Sequence, residues 1–282
     1  MPELPELEVL RRGLNPALQG RRLSRIQILN PSLRWPVSQE LERCCLGQRL
    51  IEVSRRSKYL LFRFPSGSMV VHLGMSGTVQ WREPGAPLLK HDHLLWQFEG
   101  APSLRFNDPR RFGSVLWLSD RRQAEDLDSA RPERAQVLLA RLGIEPFDPL
   151  FSGLHLYQRS RKRRLAVKPW LLSGEPVVGV GNIYACEALY RAGIDPRRSA
   201  GRIALARYER LAQSIVEVLQ EAIMAGGSSL RDFVSSHGQT GAFQNRYAVY
   251  AREGAACQRC GELIKRMVQA QRSSFACLYC QR

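Results

Sequence analysis

Four cysteines near the end of the chain, Cys257-Gln-Arg-Cys260 and Cys277-Leu-Tyr-Cys280, restrict its folding more than any other feature. Two thiolates two residues apart reach adjacent corners of a tetrahedron. The insert of residues 261–276 has the length of a hairpin that would return the second pair to close a structural site with no open position. This is zinc-ribbon spacing. Two disulfides in a small oxidised domain are the other way to use the same residues, but nothing suggests secretion and a redox CxxC usually comes singly. Cys44, Cys45 and Cys186 lack such spacing and read as buried or incidental thiols.

The 282 residues suggest about two domains, and 44% apolar residues can bury a substantial core. The first half holds short strand-like runs at Arg49–Val53, Tyr59–Phe64, Met69–Leu73, His93–Phe98, Leu104–Phe106 and Ser114–Leu118, separated by turns such as Pro65-Ser-Gly67. An antiparallel sandwich or barrel is the natural fold for them. Ahead of these runs, Pro5 suits a first helical position, and Leu7, Leu10 and Leu14 repeat at helical intervals up to Asn15-Pro16. A charged segment, 119–149, leads to a helical half with periodic patterns over 177–192 and 203–224, which puts a boundary near Pro132.

Lys and Arg number 42 against 26 Asp and Glu, a net charge of +16 that favours a polyanion such as nucleic acid. Ribosomal proteins and proteins of anionic membrane surfaces share that charge. Apolar runs such as the one inside Met69–Leu73 are too short to cross a bilayer, and the start lacks the basic region of a signal peptide, so a cytoplasmic location is expected. Basic density peaks at Arg159, Arg161, Lys162, Arg163, Arg164 and Lys168, which fits either a phosphate track or a solvated face. The turn Gly179-Val-Gly181-Asn182 could aim N–H groups and the Asn182 amide at a phosphate, or could be a packing device.

Against this basic background the opening octet, MPELPELE, is acidic. Taken alone, Glu6 and Glu8 would compensate the positive end of a helix dipole. The octet, however, heads an ordered series: Ser57-Lys-Tyr-Leu60, HLGMSG from His72, NDPRRFG from Asn107, KPWLL from Lys168, VVGVGNIY from Val177, and the four-cysteine ribbon. In that order and over nearly the whole chain, they closely resemble bacterial formamidopyrimidine-DNA glycosylase. PELPE with HLGMSG favours this branch over the related endonuclease VIII branch.

The resemblance implies an α+β multidomain protein. It would have an N-terminal helix and antiparallel β-sandwich (1–132), a helical helix-two-turn-helix domain (133–238), and a lesion-capping loop with a four-cysteine zinc finger (239–282). It implies a monomeric base-excision-repair glycosylase and AP lyase acting on damaged double-stranded DNA, with no membrane partner. One structural zinc on Cys257, Cys260, Cys277 and Cys280 would be required, and no nucleotide or redox cofactor. The nucleophile would be the secondary amine of Pro2, exposed by removal of Met1, with Glu3 moving protons around the sugar and Glu6 shaping the lesion pocket. Lys58 and Arg272 would complete the catalytic set at the lesion phosphates. His91, Arg110, Lys168 and Asn182 would contact DNA, and Met75, Arg110 and Phe112 would fill the gap left by an extruded nucleotide, with Arg110 donating to the orphaned cytosine.

Two other readings explain less. A silent damage-binding protein would not need Pro2, Glu3 and Lys58 together, and an RNA-binding zinc-ribbon protein would not need the wedge residues. The sequence departs from the family's usual GYF…VYGR.G.PC between Gly241 and Ala256, where it has Gly241-Ala-Phe243, Tyr250-Ala-Arg252 and Ala255-Ala-Cys257. The loop covering the damaged base is expected there. Loss of the tyrosine at Ala242 leaves the rank order of lesions open, while Ala251 and Ala256 would alter only turn stiffness.

Overall fold

The computed structural model describes residues 2–83, 85–120, 134–228 and 235–282. Two compact units result, Met1–Arg141 with Gly226–Gly241, and Leu142–Ala225 with Ala242–Arg282. The boundary expected near Pro132 lies outside the described residues. Because residues 226–241 return to the first unit, neither unit is one continuous stretch.

The first unit opens with α1 (Leu4–Leu18), whose buried Leu7, Leu10, Leu14 and Leu18 form one stripe. The helix runs through Pro16 instead of stopping at Asn15-Pro16. In the last turn proline forfeits one helical hydrogen bond, and burial of Leu18, about 2 kcal/mol for such a side chain, offsets it. Then come β1 (Leu23–Ile28), α2 (Glu40–Cys45), β2 (Glu52–Arg56), β3 (Tyr59–Phe64), β4 (Gly67–His72), β5 (Thr78–Arg82), β6 (Asp92–Phe98), β7 (Ser103–Asn107), β8 (Ser114–Ser119) and α3 (Arg134–Ala140). They make two four-stranded antiparallel sheets, β1-β6-β7-β5 and β2-β3-β4-β8.

The expected sandwich is therefore present, with Leu60, Phe62 and Phe64 of β3 turned inward and Phe62 against Trp96 of β6 at 5.9 Å between ring centroids. β1 and β5 were not among the expected runs. A register shift between Leu23 and Arg25 breaks the period-two signal of β1, and in β5 only Val79 is buried. β2 starts at Glu52 and not at Arg49, because Arg49 bridges Arg22 and Leu50 donates to the Arg21 carbonyl.

The second unit holds α4 (Gly153–Ser160), α5 (Val167–Leu172), α6 (Asn182–Arg191), α7 (Leu205–Met224), short 3-10 turns at Ala200–Arg202 and Phe243–Arg246, and a hairpin of β9 (Lys265–Gln269) and β10 (Arg272–Ala276). The pattern over 177–192 becomes helix only from Asn182, since Gly179 at φ 79° bends the buried Val177–Val180 segment into a turn. α4 and α5 were not expected from the sequence. Their short apolar faces are interrupted by the basic run that begins at Arg159. Among the described residues, no helix is long and apolar enough to cross a membrane.

Candidate active site

Pro2 is buried and directly precedes Glu3, the N-cap of α1. Glu3 and Glu6 form a capping box. The Glu3 side chain accepts from the Glu6 N–H, and Glu6 Oε2 accepts from the Glu3 N–H at 2.8 Å. Glu6 Oε1 accepts from the Ser228 N–H at 2.8 Å, so residues returning from the end of α7 reach this carboxylate. Both side chains are 2% exposed. Capping and chemistry are compatible here, because the box that starts the helix also fixes two carboxylates behind Pro2.

Glu8 behaves differently: it is held by Arg11 at 2.8 Å, Arg12 at 2.9 Å and Arg55 at 3.4 Å. Burial pushes its pKa up, but hydrogen bonds from Arg11 and Arg12 with the surrounding guanidinium charge outweigh this and bring it down to about 2.

Lys58 lies at the tip of the two-residue turn joining β2 to β3, where Arg56 pairs with Tyr59 and Ser57 takes φ 56°. A positive φ at the first turn residue normally selects glycine, so a serine here marks local strain. The Lys58 charge is felt at His72, which ends β4 and sits against the Tyr59 ring at 4.9 Å. Burial first, then the Lys58 and Arg34 charges, lower the His72 pKa to about 4. Its Nδ1 accepts the Gly74 N–H at 3.0 Å, which leaves the proton of the neutral ring on Nε2. His72 was quoted in the sequence only as the start of HLGMSG. The signal that could have found it was its pairing with Tyr59 beside the turn lysine.

The wedge residues come together through one buried side chain. Asp108, fully buried, accepts from Ser76 Oγ at 2.7 Å, the Gly113 N–H at 2.8 Å and the Arg110 N–H at 3.2 Å. Its own N–H donates to the His91 carbonyl, and its carbonyl meets His93 Nε2 at 2.8 Å. The turns 73–77 and 108–113 are thereby clamped face to face. Gly74, at φ 65°, lets them approach: a Cβ there would fall 2.5 Å from the Gly113 nitrogen. The clamp leaves Met75 41% and Phe112 45% exposed, with the Arg110 guanidinium 4.7 Å from the Phe112 ring. Exposed apolar tips on a buried, hydrogen-bonded base are suited to entering a base stack. His91 is half-buried at the edge of the same clamp.

In the second unit Lys168 is fully buried. Its ammonium donates to Asn182 Oδ1 at 2.6 Å, Ser274 Oγ at 2.8 Å and the Ser273 carbonyl at 3.1 Å, while the Asn182 amide donates to that carbonyl at 2.9 Å. Lys168 thus ties the start of α6 to β10. Arg272 opens β10 at the mouth of a two-residue turn, Ala270-Gln271, with φ 45° and 60°, and is exposed.

The four cysteine sulfurs all lie within 4.8 Å of one another, with Cys257–Cys280 at 3.9 Å and Cys260–Cys277 at 3.5 Å. A tetrahedron of thiolates about 2.3 Å from a metal has edges of about 3.8 Å, so this donor set fits one ion. The Tyr190 hydroxyl meets Cys257 Sγ at 3.3 Å and ties the cluster to α6.

The basic run divides. Arg161 stacks on Tyr157 at 3.8 Å and donates to the Tyr157 and Ile203 carbonyls, and Arg163 pairs with Glu175, whereas Lys162 and Arg164 face solvent. The segment that departs from the family pattern is anchored in the second unit by buried Phe243, Tyr247 and Val249, while Ala242, Ala251 and Ala256 are exposed. Phe243 is fully buried against Tyr184 and Tyr247, and Glu187 accepts the N–H groups of Ala248, Val249 and Tyr250 at 2.8–3.0 Å. Ala242 is exposed at the start of that turn, and Ala251 takes φ 56°, a conformation that favours glycine. Ser228, whose N–H donates to Glu6 Oε1, lies ahead of this segment.

Comparison with known proteins gives the same answer for both units. Residues 1–115 match the formamidopyrimidine-DNA glycosylase N-terminal domain, and residues 142–234 match the formamidopyrimidine-DNA glycosylase H2TH domain. The formamidopyrimidine-DNA glycosylases of Magnetococcus marinus and Burkholderia thailandensis are 47% and 50% identical to this chain, each over 100% of both sequences. Among solved structures, Lactococcus lactis Fpg with abasic-site DNA aligns at TM-score 0.86 and 33% identity over 99% of both chains. A variant of the same enzyme with Fapy-dG DNA aligns at TM-score 0.87 and 32% identity over 100% of both.

Proposed function

The chain belongs to the formamidopyrimidine-DNA glycosylase family, and from that premise we propose that Pro2 is the nucleophile with which it works. The enzyme removes oxidised purines, 8-oxoguanine and formamidopyrimidines, from duplex DNA and cleaves the abasic product. The observation that carries the reading of the site is the pair of buried carboxylates, Glu3 and Glu6, immediately behind Pro2 in a chain of net charge +16. A polyanion is drawn to the surface, and these two carboxylates stand beside the amine, where protons must be moved on the sugar.

Removal of Met1 turns the Pro2 nitrogen into a secondary amine. With an α-amino pKa near 7.8, about a quarter to a third is unprotonated at pH 7.4, against about one in a thousand for an ordinary lysine. The Pro2 lone pair bonds to C1′ while the glycosidic bond breaks and its electrons leave with the base. Glu3 shuttles the proton that opens the sugar to an iminium. Loss of the C2′ proton then expels the 3′ phosphate, and a further elimination expels the 5′ phosphate, leaving a one-nucleotide gap. Lys58 and Arg272 hold those phosphates, His91 and Asn182 contact the backbone, and Met75, Arg110 and Phe112 occupy the emptied stack. Full burial of Lys168 supports a positioning task for it, through Asn182 and β10, in place of a direct phosphate contact.

Cys257, Cys260, Cys277 and Cys280 hold one zinc, which when bound supplies rigidity to the hairpin and no Lewis acidity. The domains are read as a catalytic sandwich, a helix-two-turn-helix domain and a zinc finger. The enzyme acts as a monomer on chromosomal DNA in the bacterial cytoplasm, as bacterial relatives support.

Borohydride trapping on a duplex carrying 8-oxoguanine opposite cytosine, with peptide mapping of the adduct, tests this reading. A crosslink on Pro2 that is lost in Pro2→Gly is expected. Undiminished trapping by Pro2→Gly, or an adduct on another residue, would overturn it.

A further inference from the structure

Loop 30–37, between β1 and α2, belongs to none of the roles above. It is built to be rigid: the Leu33 and Val37 N–H groups both donate to the Pro31 carbonyl, the Ser32 N–H donates to Asn30 Oδ1, and Leu33 and Val37 are buried in the sandwich core. The rigid loop turns Arg34 outward. Its backbone N–H donates to the Gly113 carbonyl at 3.0 Å, so the loop is fastened to the wedge turn one residue beyond Phe112. The Arg34 guanidinium lies 4.9 Å from the centre of the Trp35 ring, and Arg134, at the start of α3, lies 5.2 Å from the same ring.

Two guanidiniums share one half-buried indole. The contact restricts both long side chains before any ligand arrives, which lowers the entropy cost of binding. Neither pairs with a carboxylate among the described residues, whereas Arg11, Arg12, Arg63, Arg105 and Arg191 each do. The Arg34 charge is also felt at Tyr59 and His72, which places it on the Lys58 side of the sandwich. Preorganised, unneutralised cations fixed to a turn that enters a base stack face phosphates once the duplex is opened there.

We propose that Arg34 and Arg134, stacked on Trp35 and anchored through Gly113, form a further DNA-backbone site that grips phosphates beside the wedge. The site rests on the glycosylase reading, because its ligand is the duplex that the wedge opens. It carries no base-specific donor set, so it contributes affinity to damaged and undamaged DNA alike.

The test is the salt dependence of duplex affinity, measured with the full-length protein on an undamaged duplex and on one with an abasic-site analogue. Arg34→Ala, Arg34→Gln and Arg134→Ala should each weaken binding to both duplexes. Each should flatten the slope of log K against log salt by about 1, the value for one lost phosphate contact. Arg34 is exposed and its loop bond is made by the backbone, so these variants retain the fold, which their melting curves verify. Wild-type binding with an unchanged slope in all three variants overturns this site alone. Failure of the wild-type protein to bind either duplex overturns the site and the glycosylase reading together.

Discussion

At the scale of single residues, neighbouring carboxylates of one helix have opposite tasks set by their partners. Glu3 and Glu6 bond backbone N–H groups, while Glu8 is enclosed by Arg11, Arg12 and Arg55. Position and charge alone do not divide them, because all three occupy the first turns of an N-terminal helix, where any acid suits the dipole; the family resemblance does, by giving roles to Glu3 and Glu6 and none to Glu8. Glu8 therefore has a pH signature. Its pKa falls from 4.5 to about 2 on folding, so its stabilisation is complete above pH 4.5 and is lost as pH falls toward 2. Glu8→Gln should flatten the melting temperature of the protein between those pH values, without loss of Pro2 trapping at neutral pH. Lys58 makes the complementary case, since it stands on a strained turn and forms no part of the core. Lys58→Ala should lower single-turnover release of 8-oxoguanine by 10- to 100-fold, a loss of about 1.4–2.7 kcal/mol, while duplex affinity changes less than tenfold. Equal losses in excision and in affinity would reduce Lys58 to a binding cation.

Between elements, most strands with alternating burial were legible, and those that were missed had lost the alternation. β3 and most of β6 were found because their inward positions repeat every second residue, and β8 was found as a short apolar run although only Ser114 and Val115 are buried; β1 carries a register shift, and β5 buries a single side chain fully. Helices α4 and α5 were missed for a related reason: a basic run hid faces only two turns long. The motif residues Met75, Arg110 and Phe112 were legible, but the device that assembles them was not, because nothing in NDPRRFG says that Asp108 is fully buried and holds both turns. Replacing it tests the device. Asp108→Ala leaves the Ser76 hydroxyl and the Gly113 and Arg110 N–H groups without their acceptor, a cost of about 2–4 kcal/mol in unfolding free energy. Preference for cytosine opposite the lesion should fall with it, since Arg110 is no longer fixed. Asp108→Asn can still accept from Gly113 and donate to Ser76 Oγ but no longer accepts from the Arg110 N–H, so it should retain most of the stability and only part of the preference. If the alanine variant discriminated opposite bases as well as wild type, the clamp would have no part in placing Arg110.

Across the whole molecule, each unit carries an arrangement that one end of its own chain completes. In the first, residues 226–241 return to bring the Ser228 N–H to Glu6. In the second, the cysteine pairs flank β9 and β10, whose Ser273 and Ser274 anchor Lys168 and Asn182. The hairpin is small, and Val268 is 68% exposed, so burial alone cannot account for its order. Metal binding by the four thiolates, as proposed above, would supply the missing contribution, because structural zinc sites of this kind add folding free energy directly. Removing zinc with a chelator should therefore release the hairpin, and with it Arg272 and the Lys168–Asn182 tie. The first unit has its own closed core from Leu7 to Val115, which the four cysteines do not join. Chelation should accordingly abolish tight duplex binding while the sandwich amides keep their hydrogen-exchange protection, and added zinc should restore binding. A chelated protein, verified free of metal, that bound the duplex with unchanged affinity would show that the ribbon's contribution lies elsewhere than in presenting Arg272.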